Sequence, residues 1–152
     1  MANTQAMATS FKGELLNAYH NFSATNPART VNTADSFKAA LYLASATINA
    51  TTTAYTVTGE VTGTNYSAGG VAITSWNAPT TSGTTGYTTP TASFTYTNVT
   101  LSTAFDAVLV YNNTQGNRAV SVHTFGSQTV TAGTFALTMP TNAAGTALIN
   151  IA

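Results

Sequence analysis

The chain contains no cysteine, and only 5% of its 152 residues are charged at neutral pH. The first absence excludes disulfide bonds and thiol catalysis, although it leaves the redox compartment open. Four basic residues balance four acidic residues, so the formal net charge is +0. A chain without a basic stripe or a polybasic segment is not expected to bind nucleic acid or an anionic membrane surface.

Two further absences concern targeting. A secretory signal needs a basic region followed by an apolar region, whereas residues 1–16 begin polar and reach their first lysine at Lys12. No apolar run approaches the ~20 residues of a membrane-spanning helix. We therefore expect a protein that is made in the cytoplasm and is not inserted in a membrane.

Residues that could perform chemistry are also scarce. His20 and His123 are the only histidines, whereas a zinc site usually needs three or four ligands. No local spacing pairs two of the four carboxylates, and neither the G-x-S-x-G nucleophile motif nor the phosphate-binding G-x-x-x-x-G-K-[ST] motif occurs. The sequence predicts that the protein is not an enzyme and that it uses no cofactor and no metal.

The missing charge is replaced by threonine, asparagine, serine and glycine, while the apolar fraction is 43%. Disorder requires low hydrophobicity or high net charge, and this chain has neither. Its length suits one core of ordinary size. We therefore predict a single β domain over residues 1–152, in which residues 1–34 form an N-terminal helix and a connecting arm.

Residues 9–22 carry the one pattern that predicts a helix. The apolar residues Phe11, Leu15, Tyr19 and Phe22 recur at helical spacing, and Thr9 or Ser10 is available as an N-terminal cap. A helix of this length is marginal alone. It should dock either on its own sandwich or on a partner, so these four residues are candidate interface residues.

Alternation of apolar and polar residues predicts strands in most of the remaining chain. It favours a strand over a helix at residues 37–43 and suggests another strand around Val57. Between Tyr96 and Val99 the apolar face switches, which indicates a bulge or a bend. After residue 107, short apolar runs are separated by turn-like segments at 112–117, 126–128 and 141–145. Turns at this spacing are typical of a β-sandwich or a barrel. Of the two we predict the sandwich: a mainly β fold, an antiparallel β-sandwich of jelly-roll type with a short N-terminal helix.

Several rings outside the predicted helix have two possible roles. Trp76, Tyr87, Tyr96 and Tyr111 could stack on sugars, but burial in the core or at a subunit interface is favoured. His123 alternates with Val120 and Val122 on its strand and is interpreted as an exposed or interface imidazole. The candidate interface residues are therefore Phe11, Leu15, Tyr19, Phe22, Trp76, Tyr87 and His123.

A series of sequence blocks resembles a group of small virion proteins of tailed bacteriophages. In order, the blocks are SFKGELL, DSFKAALYLAS, AYTVTGEVTGTNYSAGGVAI, FDAVLVYNN, NRAVSVHTFGSQTVTAGTFALTMP and ALINIA. The resemblance covers most of the chain from residue 10, and residues 18–34 and 77–90 depart from it. None of the matching motifs is catalytic.

The resemblance implies a structural protein of the virion. The leading expectation is a decoration or cement protein, bound to the major capsid protein lattice on the phage head surface. A tail-associated component and a carbohydrate-binding or host-adhesion module are the alternatives. Charged side chains normally protect exposed strand edges from pairing with other chains, and this chain has few of them. We therefore also expect a homo-oligomer, with a trimer favoured, or β pairing with a capsid neighbour.

Overall fold

The computed structural model describes residues 2–16, 19–23 and 33–152. In these ranges one helix and eight strands form in the order β1 Ala6–Met7, α1 Thr9–Leu16, β2 Phe37–Leu43, β3 Val71–Ile73, β4 Thr80–Ser82, β5 Thr85–Thr88, β6 Phe94–Asn112, β7 Arg118–Leu137 and β8 Ile149–Ile151. The larger sheet has the strand order β1-β7-β6-β2-β3 and the smaller sheet β4-β5-β8, with antiparallel pairing throughout. The prediction of a mainly β, antiparallel, sandwich-like fold with a short N-terminal helix is confirmed.

The β6–β7 hairpin is the longest unit, with strands of 19 and 20 residues. Its turn is the one predicted at 112–117. The Asn112 side-chain oxygen accepts the backbone N–H groups of Thr114 and Gln115. Gly116 and Asn117 then take φ values of 65° and 60°, a left-handed conformation that glycine and asparagine adopt most easily.

The pairing of β6 with β7 is interrupted by bulges. One lies between Tyr96 and Val99, as predicted, and Asn98 within it has a φ of 52°. The turn predicted at 126–128 is wrong, because β7 continues through it. Phe105 of β6 pairs with Gln128 there, and the register shifts on either side of this pair. A bulge accommodates the shift, so β7 stays paired with β6.

Strand β2 lies between β6 and β3, and five of its seven residues are buried. This position explains why both of its faces are apolar, and the strand prediction for 37–43 is confirmed. The strand suggested around Val57 is wrong. Between β2 and β3 the chain forms turns and isolated bridges, and the Val57 side chain is 67% exposed.

The N-terminal segment packs on the core of its own chain. Helix α1 ends at Leu16, short of the predicted residue 22, and the Tyr19 N–H bonds to the Glu14 carbonyl at 3.1 Å. Phe11 is fully buried against the ring of Phe22, which in turn stacks on Phe37 with centroids 4.6 Å apart. The predicted connecting arm falls mainly on 24–32, which lie outside the described residues.

Candidate functional site

Three charged side chains, Glu14, Asp35 and Arg118, are brought into one cluster by the fold. Glu14, from α1, accepts hydrogen bonds from His20 Nε2 at 2.7 Å and from Arg118 Nη1 at 2.6 Å. The side chains of Glu14 and His20 are almost fully buried, whereas that of Arg118 is 40% exposed. The Arg118 guanidinium lies over the Tyr19 ring, 4.5 Å from its centroid. This contact joins the N-terminal segment to the first residue of β7.

The same cluster continues to a second carboxylate. The Asn112 side-chain amide donates to His20 Nδ1 at 3.1 Å and to Asp35 Oδ2 at 2.8 Å. His20 therefore has a partner on each ring nitrogen, as suits a neutral ring protonated at Nε2. Burial lowers the pKa of His20 and outweighs the opposing effect of the Glu14 carboxylate. Because both ring nitrogens are bonded within the chain, neither is available to a substrate. The cluster instead connects the N-terminal segment to β6 and β7.

A buried carboxylate outside this cluster, that of Glu60, organises the loop between β2 and β3. Glu60 is 6% exposed. It accepts the Tyr55 hydroxyl at 2.6 Å, the Tyr66 hydroxyl at 2.8 Å and the Gly69 N–H at 2.7 Å. Burial, together with the bond to Glu60, raises the pKa of both tyrosines. Three donors stabilise the carboxylate where a cation would otherwise be needed.

The Gly69–Gly70 pair explains the AGG part of the AYTVTGEVTGTNYSAGGVAI block. The Gly69 carbonyl accepts the Tyr111 hydroxyl at 2.9 Å. Gly70 has a φ of 71°, and a β-carbon added to it would lie 1.8 Å from the Ala39 carbonyl oxygen. Only glycine permits this approach of the loop to β2. The block thus holds the loop against the sheet.

Ser121 and His123 are paired as a nucleophile and its base would be. Ser121 Oγ lies 2.8 Å from His123 Nε2, beside a cleft of about 540 Å³. Burial lowers the pKa of His123 to about 4. Ser121 is only 3% exposed, and no carboxylate among the described residues is bonded to His123. A triad needs such an orienting group, so the pair is best explained as a satisfied buried hydroxyl.

The predicted interface residues fall into two groups. Phe11 and Phe22 are interior, and Trp76 is half-buried against Phe22 and Phe37, at 4.8 and 5.4 Å between ring centroids. These three residues belong to the core of the chain itself. Accessible surface remains on four predicted residues, of which Tyr19 is 41% exposed and the others are half-buried: Leu15, Tyr19, Tyr87 and His123.

Four of the seven predicted residues meet around one apolar cleft. The cleft has a volume of about 480 Å³ and separates α1 from the smaller sheet. Phe11, Leu15, Phe22 and Tyr87 line it together with Ile151 of β8. Helical spacing and β pairing bring these positions together, which the sequence pattern could not show.

Two of the four rings considered for sugar binding are buried. Tyr96 is 3% exposed and donates its hydroxyl to the Ala39 carbonyl. Tyr111 is 2% exposed and stacks on Tyr55, with centroids 4.8 Å apart. Stacking with a sugar requires an accessible ring face, so both tyrosines are core residues, the role favoured for them from the sequence.

Three general findings complete the description of the site. No group of three or more metal-ligating side chains occurs within 2–16, 19–23 and 33–152. No helix in the described part of the chain is long and apolar enough to cross a membrane. Comparison with protein-family models, with curated proteins and with solved structures finds no match.

Proposed function

We propose that the chain is a non-enzymatic structural protein of a tailed-bacteriophage virion, which decorates the capsid lattice on the head surface. The ordered sequence blocks that resemble small phage virion proteins are the starting point. The observation that carries the proposal is that the most distinctive block is used for scaffolding. Glu60 and Gly70 hold a loop on the sheet, and the Glu60 carboxylate is bonded to donors of that loop.

The placement of the ionisable groups supports the same function. The Glu14 carboxylate and both nitrogens of His20 have internal partners, and the side chain bonded to His123 is buried. A decoration protein works through shape, repeated copies and extended contacts. It therefore needs stable surfaces and no titratable centre.

The surface of the long hairpin suits extended contact. No lysine, arginine, aspartate or glutamate follows Arg118 in the sequence. The outer half of β7 is mostly exposed and rich in threonine, whose branched side chain favours a strand while its hydroxyl stays hydrated. Binding through this surface would depend on buried apolar area and neutral hydrogen bonds.

Cryo-electron microscopy of particles with and without the chain tests the proposal. Particles from a strain in which the gene is deleted, and from the same strain complemented with it, form the matched pair. We expect the difference density to lie on the outer surface of the head at repeated lattice positions. Density confined to the tail would refute head decoration, and complemented particles that lack the chain would refute a virion role.

A further inference from the structure

The outer edge of β7 is the largest unpaired strand edge in the described part of the chain. On one side β7 pairs with β6 over its whole length. On the other side β1 pairs through Ala6 with Val122 and Met7 with Ser121, and the Ala8 N–H bonds to the Val120 carbonyl. Strand β1 then diverges, because the Thr4 N–H bonds to the Ile48 carbonyl instead. From Thr124 to Leu137 no described strand pairs with this edge.

The edge carries little of the protection that exposed strands usually have. The fourteen residues of 124–137 include no charged residue and no proline, the two commonest devices that prevent strand addition. At ~3.3 Å per residue they extend about 45 Å. The bulges near Val130 and the left-handed Ala132 twist the strand, so the ladder available to a partner is divided into shorter runs.

An apolar cluster on one face of the hairpin reaches this edge. Phe135 contacts Phe105 and Phe125, with ring centroids 5.0 and 5.3 Å apart. Phe105 is fully buried, whereas Phe125 and Phe135 are only half-buried. A strand added beside β7 would cover the remaining surface of both rings, provided that its own apolar side chains lie on the same face.

We propose that two copies of this chain pair antiparallel through the 124–137 edge of β7, about a two-fold axis perpendicular to the sheet. This symmetry continues the sheet from one copy to the other and places the two phenylalanine clusters on one face. It also brings the two copies of the residues nearest the axis close together, which charged residues there would prevent and which threonine favours through hydroxyl contacts. This inference stands independently of the virion assignment.

The proposed symmetry favours a dimer over the trimer expected from the sequence. An edge that pairs with its own copy is used up in a closed two-fold pair. A trimer built by edge pairing would need β7 to join a different edge. The opposite edge of the same sheet, β3, has only three residues, so it offers a much shorter ladder.

Cysteine cross-linking tests the register, since the natural chain has no cysteine. If 125–137 overlaps fully with its copy, position 131 lies on the axis, and the two copies of position 136 are roughly 33 Å apart. Thr131→Cys should therefore form a disulfide-linked dimer under mild oxidation at least about tenfold faster than Ala136→Cys or the exposed control Val57→Cys. Equal rates for the three variants would overturn the proposal.

Charge substitution tests the interface without a cross-link. The double variant Thr129→Lys/Thr131→Lys places four positive charges near the axis of a dimer and should raise the dimer dissociation constant at least about tenfold. The matched control Thr58→Lys/Thr62→Lys changes two exposed threonines of the β2–β3 loop and should leave association unchanged. Sedimentation equilibrium measures association, and thermal unfolding verifies the fold of both variants. A monomeric natural chain, or an oligomer insensitive to the β7 charges, would overturn the proposal.

Discussion

Replacement of Glu60 should destabilise the chain more than replacement of the half-buried carboxylate Asp106. Glu60 is buried and accepts three hydrogen bonds, whereas Asp106 accepts one, from the Asn3 amide at 2.6 Å. Glu60→Leu removes the acceptor and leaves the Gly69 N–H without its partner. The Tyr66 hydroxyl retains a bond from the Leu41 N–H, so part of the network survives.

The expected magnitudes follow from these partners. Removing one member of a buried charged network usually costs about 3–5 kcal/mol, and we expect Glu60→Leu to fall in this range. Glu60→Gln keeps the shape and one oxygen, so neutral hydrogen bonds replace charged ones at a cost of about 1–2 kcal/mol. Asp106→Asn, the matched change at a carboxylate with a single donor, should cost no more than about 1 kcal/mol.

Urea unfolding of the purified variants, followed by tryptophan fluorescence, measures these costs. Trp76 is the only tryptophan and packs edge-on against the stacked rings of Phe22 and Phe37, so its emission reports loss of the core. The urea dependence should be similar for all variants, which would show that the same surface is exposed on unfolding. A role of Glu60 in stabilising the loop is refuted if Glu60→Leu lowers the free energy of unfolding by less than about 1 kcal/mol and both Glu60→Gln and Asp106→Asn unfold at the same urea concentration as the natural chain.

Three other predictions use the same unfolding measurement or a particle assay. Gly70→Ala should lower the free energy of unfolding by at least about 2 kcal/mol more than Gly116→Ala. Both residues have a positive φ, but only at Gly70 would the added carbon clash with the backbone. Equal costs would contradict the packing argument. His123 has a pKa of about 4 in the folded chain against an ordinary 6.5, so below pH 6.5 the unfolded chain binds its proton more readily. The free energy of unfolding should be unaffected by His123 above pH 6.5 and should fall by at most about 3 kcal/mol as the pH falls towards 4. A His123→Gln variant whose stability has the same pH dependence as that of the natural chain would refute this. If the chain decorates particles, a wash in about 1 M salt should leave it bound while moderate denaturant or heat releases it, as measured by the fraction retained, and release by salt alone would show that ion pairs dominate the contact.

Local rules were sufficient to predict several elements. The apolar run at 37–43 indicated a strand, and the turn residues at 112–117 indicated the hairpin. The switch of apolar face between Tyr96 and Val99 indicated a bulge or a bend, and the structure has a bulge there. Each of these features depends on neighbouring residues or on the two-residue period of a strand, so the sequence contains the information directly.

Features that depend on distant residues were not predictable in this way. Gly126 and Ser127 indicated a turn, but pairing with the long β6 strand overrides that local preference. Glu14 and Arg118 are 104 residues apart in the chain, and only the folded sheet brings them together. The free edge of β7 was also missed, because it results from where the short β1 strand stops, and no local pattern records that position.

The hairpin also has a consequence for the order in which the protein folds. Its ladder closes from the turn at 112–117, so each new pair of residues joins the growing ribbon at little additional loop-closure cost. Pairing of Leu41 with Val108, or of Ala6 with Val122, must instead close a long loop, and such contacts slow folding. We expect pulse-labelling hydrogen exchange to detect protection of the β6 and β7 amides near the turn before those of β1 and α1. The N-terminal segment, although it supplies the fully buried Phe11, would then be the last to reach the core.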